Sequence, residues 1–268
     1  MFFSIGLARP QIGAKLKEHQ SKGAEVMIAL DVSNSMLAQD YSPDRLQRAK
    51  LAISRLVDKL NGDRIGLVLF AGTSFVQLPI TTDYVSAKMF LGNISTESVP
   101  VQGTAIGDAI NTCIKSFSAQ SENSRAIIVI TDGENHEDNP VEAAKTAASM
   151  GISVYTIGVG SAQGQPIPMK GGLLKDSQGN IVVTKLDEAT LKEVAKAGNG
   201  AYVHAGNNEF GLNPVIDNIR KLNDEEFNSI VFEEYDEQYM YFFAIALGLL
   251  VLQMIVGERK VLRHIFDK

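Results

Sequence analysis

The chain has almost nothing with which to staple itself or to bind a soft metal. Of its 268 residues only Cys113 is a cysteine, and none is a tryptophan. One thiol excludes an internal disulfide framework and any multi-cysteine zinc centre. Cys113 falls in helical register with Ile106, Ala109, Ile110, Ile114 and Phe117, so it reads as a core residue rather than a reactive thiol. No G-x-x-x-x-G-K-[ST] stretch occurs, which excludes a P-loop ATPase. Positive charge is sparse as well. Lys and Arg total 25 against 31 Asp and Glu, a net charge of −6. No basic stripe is present to track a phosphate backbone, so nucleic acid is not an expected partner. Repeats and low-complexity segments are absent.

What is present is apolar and rhythmic. Hydrophobic residues make up 45% of the chain, enough for one sizeable core. Glu25 to Leu30 is a short apolar run that stops before Asp31. Ser42-Pro43 reads as an N-cap with Pro in the first turn of a helix, carrying Leu46, Ala49, Ile53, Leu56, Val57 and Leu60 at helical spacing until Asn61-Gly62. Arg64 to Phe70 reads as a strand. Phe75 to Ile80, which contains Pro79, reads as an edge strand. Asp83 is placed to cap a helix to about Asn93, and Thr104 to open another to about Ala119. Ala126 to Ile130 is a continuous apolar run of the kind that forms a central parallel strand buried on both faces. A helix from Asn139-Pro140 to Gly151, a strand from Ile152 to Val159, a helix capped by Asp187 and ended by Gly198-Asn199-Gly200, and a last edge strand from Ala201 to His204 follow. This alternation predicts an α/β fold, an open and mostly parallel sheet with helices on both faces. Residues 161–185 break the rhythm with Pro166, Pro168, Gly171-Gly172 and Gln178-Gly179-Asn180, and predict an inserted loop with a hairpin around Leu173–Val183.

The two ends read differently. Residues 239–256 carry no charge, and their eighteen residues would span about 27 Å as a helix, close to the ~30 Å of a bilayer core. Tyr239 and Tyr241 sit where an interfacial belt would be. Arg259, Lys260, Arg263 and Lys268 follow, whereas Asp224 to Glu237 holds seven acids and no Lys or Arg. That asymmetry predicts a transmembrane helix with residues 257–268 as a cytoplasmic tail and the bulk of the chain outside the cytoplasm. Residues 223–238 read as an acidic linker. At the other end, residues 1–23 read as the stub of an apolar helix plus a linker, leaving 24–222 as the main domain.

The chemistry concentrates in Asp31-Val32-Ser33-Asn34-Ser35, directly after the first core strand. In an open α/β sheet, ligands bind beyond the carboxyl ends of strands. Thr131-Asp132-Gly133 ends another core strand, and Gly103-Thr104 lies in a loop before a helix. Asp31, Ser33, Ser35, Thr104 and Asp132 together offer two carboxylates and three hydroxyls. That all-oxygen set predicts a hard divalent cation, Mg²⁺ or else Mn²⁺ or Ca²⁺, with a position left for water or for a partner's Asp or Glu. Taken singly each piece has a plainer reading: a polar turn, a helix cap, an ordinary Thr-Asp-Gly turn. The run Glu134-Asn135-His136-Glu137-Asp138 reads as a solvated loop rather than a second metal site. His204 reads as structural, and Asp108 as a helix-dipole charge.

In combination, these pieces resemble the metal-ion-dependent adhesion site of von Willebrand A domains, from about Ala24 to His204. The stretches LARPQIG (Leu7 to Gly13), VMIALDVSNSMLAQD (Val26 to Asp40), PDRLQRAK (Pro43 to Lys50) and ITDGENH (Ile130 to His136), with the C-terminal span, resemble the Bat (aerotolerance-type) membrane-anchored proteins of bacteria. The resemblance implies a Rossmann-like von Willebrand A fold and a metal-dependent protein-interaction module of the bacterial inner membrane, not an enzyme. It also implies work beside a MoxR-type AAA+ ATPase in envelope protein assembly or oxidative-stress tolerance. The rival reading is a Mg-dependent phosphotransferase of haloacid-dehalogenase type with Asp31 as nucleophile. Ser33 stands where such enzymes usually place a second acid.

Overall fold

A computed structural model of the chain describes residues 11–14, 23–60, 62–118, 123–135, 137–169, 171–206, 211–212, 215–219, 235–237 and 244–253. The chain divides into two compact units, residues 21–228 and residues 1–20 with 229–268.

The larger unit is built on runs in which nearly every residue is buried. Strand β1 (Glu25–Asp31) is buried throughout, and β2 (Arg64–Phe70), β4 (Arg125–Thr131) and β5 (Ile152–Gly158) are nearly so. With β3 (Ser74–Thr81) and β6 (Asn199–His204) they form one six-stranded sheet in the order β6-β5-β4-β1-β2-β3. All neighbours are parallel except β3, which runs antiparallel along one edge. Proline in β3 fits that edge place. Strand period two sends Val26, Ile28 and Leu30 to one face and Met27 and Ala29 to the other. Ala126, Ile128 and Ile130 alternate in the same way with Ile127 and Val129.

Both faces are covered by helices. On one lie α1 (Arg45–Val57), α2 (Tyr84–Gly92) and the helical residues 215–219. On the other lie α3 (Ile106–Ser116), α4 (Pro140–Ser149) and α5 (Glu188–Ala197). Cys113 is fully buried in the second layer, and burial pushes its thiol far above the ordinary range. Asp83, Asn139 and Asp187 cap α2, α4 and α5 by accepting from backbone N–H groups two or three residues on.

Two expected helix starts are corrected. Ser42 and Pro43 are joined by a cis peptide and lie before the helix. The cap of α1 is Asp44, whose side chain accepts from Gln47 N at 2.7 Å. Helix α3 starts at Ile106 with no side-chain cap from its own preceding residue, so Thr104 lies in the loop. Asn61 lies outside the described residues.

Residues 161–185 leave the sheet and fold on themselves as a small arm. Gln165–Pro166 pairs antiparallel with Val183–Thr184, and Pro168–Met169 with Gly172–Leu173. A further bridge joins Lys175 to Ile181.

In the smaller unit, Gln11–Ala14 pairs antiparallel with Tyr235–Glu237. Both segments read as linker in the sequence; pairing satisfies backbone groups that neither segment can satisfy alone. Residues 244–253 are helical and largely exposed. Among the described residues no helix is long and apolar enough to cross a membrane. The remainder of the 239–256 span and the 257–268 tail lie outside the described residues.

Ile128, fully buried in β4, tests the two-faced core. Ile128→Ala is expected to cost about 2–5 kcal/mol in urea unfolding followed by circular dichroism. Val85→Ala, at a residue 81% exposed, is expected to stay within about 0.5 kcal/mol. Equal losses would contradict this core assignment.

Candidate metal-binding site

The strand order reverses between β1 and β4: from β1 the chain runs outward through β2 and β3, then returns to place β4 on the other side. Asp31 is the last residue of β1, and Asp132 directly follows β4. The two carboxylates therefore meet at the crevice where open α/β sheets bind ligands.

After Asp31 the chain alternates between core and crevice. Val32 and Met36 are fully buried, and Asn34–Leu37 forms one 3₁₀ turn. Anchoring Val32 and Met36 leaves Ser33 and Ser35 adjacent, with their Oγ atoms 2.9 Å apart. Ser33 N donates to Asp31 Oδ1 at 2.8 Å, and Thr131 Oγ1 donates to Asp31 Oδ2 at 2.6 Å. Asp132 lies close enough that its charge acts on Asp31 and the Ser35 hydroxyl acts on it. Asp31, Ser33, Ser35 and Asp132 are thus one buried polar cluster.

Thr104 arrives on a third loop that is fixed at several points. Gln102 Oε1 accepts from Asn34 N at 3.0 Å, Gly72 N donates to Val101 O at 3.0 Å, and Ala105 N donates to Ala71 O at 2.8 Å. A Cβ on Gly72 would lie 2.6 Å from Gln102 O, so only glycine permits this approach. The segment after Asp132 holds the loop from the other side. Asp138 accepts from Gly107 N and Asp108 N at 3.0 and 2.6 Å, and Asn135 Oδ1 accepts from Ile106 N at 3.3 Å. Asn135 and Asp138 therefore cap the N-terminus of α3 from another loop. His136 lies outside the described residues. Among the described residues no three His, Cys, Asp or Glu side chains gather as a metal cluster.

Asp31 and Asp132 are completely buried. Burial first, and then the neighbouring Asp132 charge, push Asp31 up to about 7, against hydrogen bonds from Ser33 and Thr131. Burial also raises Asp132, against hydrogen bonding by Ser35 and the nearby Arg45 charge.

Arg45 is the residue that sequence reasoning missed. Its side chain is fully buried. Nε and Nη2 grip Asp40 at 2.8 and 2.7 Å, while Nη1 donates to Asp132 Oδ2 at 3.0 Å and to Thr184 Oγ1 at 3.2 Å. Burial pulls its pKa down, but Asp40 and Asp132 outweigh that and hold it above the ordinary value. A signal existed in the sequence. Arg45 opens a helix with no acid in its first turn, where the dipole disfavours a cation; a basic residue there must have another partner. Thr131, which reads in the sequence as part of a turn, holds Asp31. Asp108 accepts from Ser74 N and Oγ at 2.9 and 2.7 Å and so ties α3 to β3. His204 is a link in the frame, with Nδ1 3.1 Å from Glu188 Oε1.

The von Willebrand factor type A domain model matches residues 25–205. The chain belongs to this family. Domains of this family are metal-dependent protein-interaction modules with an adhesion site for a divalent ion. The chain is similar to BatB from Bacteroides thetaiotaomicron, at 52% identity and TM-score 0.70 over 77% of this chain and 100% of that one. It is equally similar in sequence to an aerotolerance-related membrane protein from Bacteroides fragilis, at 52% identity and TM-score 0.72 over 74% and 100%. Proximal thread matrix protein 1 of the mussel byssus shares the fold at 18% identity and TM-score 0.55, over 75% of this chain and 46% of that one. The adhesion motif of that protein holds zinc.

The pair of carboxylates sets a pH signature for the cation-free chain. Asp31 binds its proton more tightly folded, near 7, than at its ordinary 3.8. Between those values the folded state holds more protons than the unfolded state, so this group's contribution to stability falls as pH rises. In EDTA, the melting temperature is expected to fall between about pH 5 and pH 7.5. Asp31→Asn should remove most of that fall, and an unchanged slope in Asp31→Asn would contradict the assignment.

Proposed function

We propose that the chain is a membrane-anchored docking module in which Asp31, Ser33, Ser35, Thr104 and Asp132 hold a divalent cation, and that a protein partner brings an Asp or Glu to it. The observation carrying this reading is the meeting of two buried carboxylates with the Ser33 and Ser35 hydroxyls at the strand-order reversal. The donor set fits the group. All five donors are oxygen, which suits Mg²⁺, Mn²⁺ or Ca²⁺. A cation held there supplies a hard, positively charged coordination position for a carboxylate. The chain's own residues keep that position attractive. Three of the five donors are neutral hydroxyls, and Arg45 offsets part of the Asp132 charge. The chain as a whole is acidic, so attraction for an acidic partner has to be local.

The reading is of a binding protein and not an enzyme. The cation beside Asp132 is an arginine already engaged by Asp40, and Ser33 stands where a phosphotransferase would carry its second acid. The aerotolerance-related relatives support a place beside a MoxR-type AAA+ ATPase, in envelope protein assembly or tolerance of oxidative stress. Residues 239–256 are read as a single anchor in a bacterial inner membrane, with the domain on the extracytoplasmic side and the tail inside.

Calorimetry on the full chain tests the core of this reading. Mg²⁺ or Mn²⁺ should bind, and Asp31→Ala and Asp132→Ala should each weaken binding at least about tenfold, or 1.4 kcal/mol. Unchanged affinity in both variants would sink it. Co-purification of a MoxR-type ATPase should be lost in EDTA while circular dichroism stays unchanged. For the anchor, single cysteines at Glu234 and Lys268 in a Cys113→Ala background should label with an impermeant reagent in intact cells only at the Glu234 site. The opposite pattern would reverse the topology.

A further inference from the structure

The Asp40–Arg45 pair reaches further than Asp132. Asp40 Oδ2, held by Arg45 Nη2, also accepts from Ser161 N at 2.8 Å. Thr184 Oγ1, within 3.2 Å of Arg45 Nη1, donates to Asp132 Oδ2 at 2.9 Å. Ser161 opens the arm and Thr184 lies at its close. Both ends of the arm therefore hang on one guanidinium and on the carboxylate that it holds. Gly160, just before the arm, passes so close that a Cβ there would lie 2.8 Å from Arg45 Cζ. Between its ends the arm is held by short backbone pairings of its own and by the buried Ile167. Its strands are two residues long, and Met169, Leu173, Ile181 and Val183 are exposed. Its placement is set at the ends, within a dry polar network where each bond strengthens the next.

The arm also walls a groove of about 710 Å³. Pro168 and Met169 line it from the arm, Asn34 and Leu37 from the turn that carries Ser33 and Ser35, and Val99 and Gln102 from the loop before Thr104. The groove thus starts at the metal-site turn and ends on the arm.

We propose that Arg45 is a positioning residue through which cation occupancy at Asp132 fixes the arm, and with it the groove wall beside the ion. This rests on the reading of Asp31 and Asp132 as a cation site. Without a cation, Arg45, Thr184 and Glu134 N are the groups among the described residues that hold the Asp132 carboxylate by hydrogen bonds against its repulsion from Asp31. With one, the carboxylate is fixed, and Oδ2 passes that restraint to Arg45 and Thr184. Lysine cannot replace arginine here, because it lacks the planar fork that grips Asp40 while reaching Asp132.

Hydrogen exchange on the full chain, with and without saturating Mn²⁺, reads this directly. In the unsubstituted chain, Mn²⁺ should slow exchange of arm amides 165–184 by about threefold or more. In Arg45→Met and Arg45→Lys that ratio should fall close to one while Mn²⁺ still binds. Should Arg45→Met fail to fold, Thr184→Val removes the hydroxyl that links the arm to Asp132 and to Arg45 Nη1. It should abolish the ratio with Mn²⁺ affinity kept within about threefold. A purely structural Arg45 would speed arm exchange equally in both conditions and leave the ratio intact, which would overturn the proposal. If the unsubstituted chain binds Mn²⁺ by calorimetry but its arm does not respond, the coupling fails and the metal reading stands. If it binds no Mn²⁺ at all, the metal reading itself fails.

Discussion

Two carboxylates share a dry crevice because the topology puts them there. β1 and β4 are neighbours with nothing between them, and their carboxyl ends deliver Asp31 and Asp132 to one place. Neither carboxylate is open to solvent. Burying charge without compensation is costly, and burying two like charges together costs more. The structure reduces that cost by hydrogen bonds from Ser33, Thr131 and Thr184, and by one cation, Arg45. Arg45 is itself shared with Asp40, so the cluster retains excess negative charge. A divalent ion bound through the same oxygens, as proposed above, would remove that conflict.

Much of the surrounding architecture serves that crevice. Gly72 lets the Val101–Ala105 loop close in, Gln102 ties that loop to the Asp31–Ser35 turn, and Asp138 and Asn135 seat the start of α3 beside it. Each contact joins segments far apart in sequence. The site is an assembly of three loops, each fixed by a neighbour rather than by its own strand, which is the support that a preorganised site needs. The arm is attached to the same Arg45 that holds Asp132 and Asp40.

What could be read in advance follows physical period and chemistry. The strands were legible because sheets buried on both faces demand unbroken apolar runs, as in Ala126–Ile130. That Asp31 and Asp132 come to one edge of the sheet was legible because D-x-S-x-S and Thr-Asp-Gly each follow such a run. Position along the chain could not show Arg45 meeting Asp132, 87 residues away. The Glu134–Asp138 run reads as a solvated loop, and Glu137 and Asp138 are exposed, but a cap that Asn135 and Asp138 supply to another segment leaves no local pattern. Ser42-Pro43 misled for the opposite reason: it carries a helix-start signature, and Asp44 two residues later does the capping. The pairing of Gln11–Ala14 with Tyr235–Glu237 joins opposite ends of the chain, which no local signal encodes.

The central claim is that the Asp31–Asp132 crevice takes a divalent cation on hydroxyl and carboxylate oxygens together. Anomalous diffraction at the manganese edge from crystals grown with Mn²⁺ tests this most directly. The account predicts one peak at the carboxyl ends of β1 and β4, within about 2.3 Å of the Ser33 and Ser35 Oγ atoms and reached by the carboxylates directly or through water. A well-ordered crevice with no peak at saturating Mn²⁺, or with the Arg45 guanidinium filling that position, would contradict it.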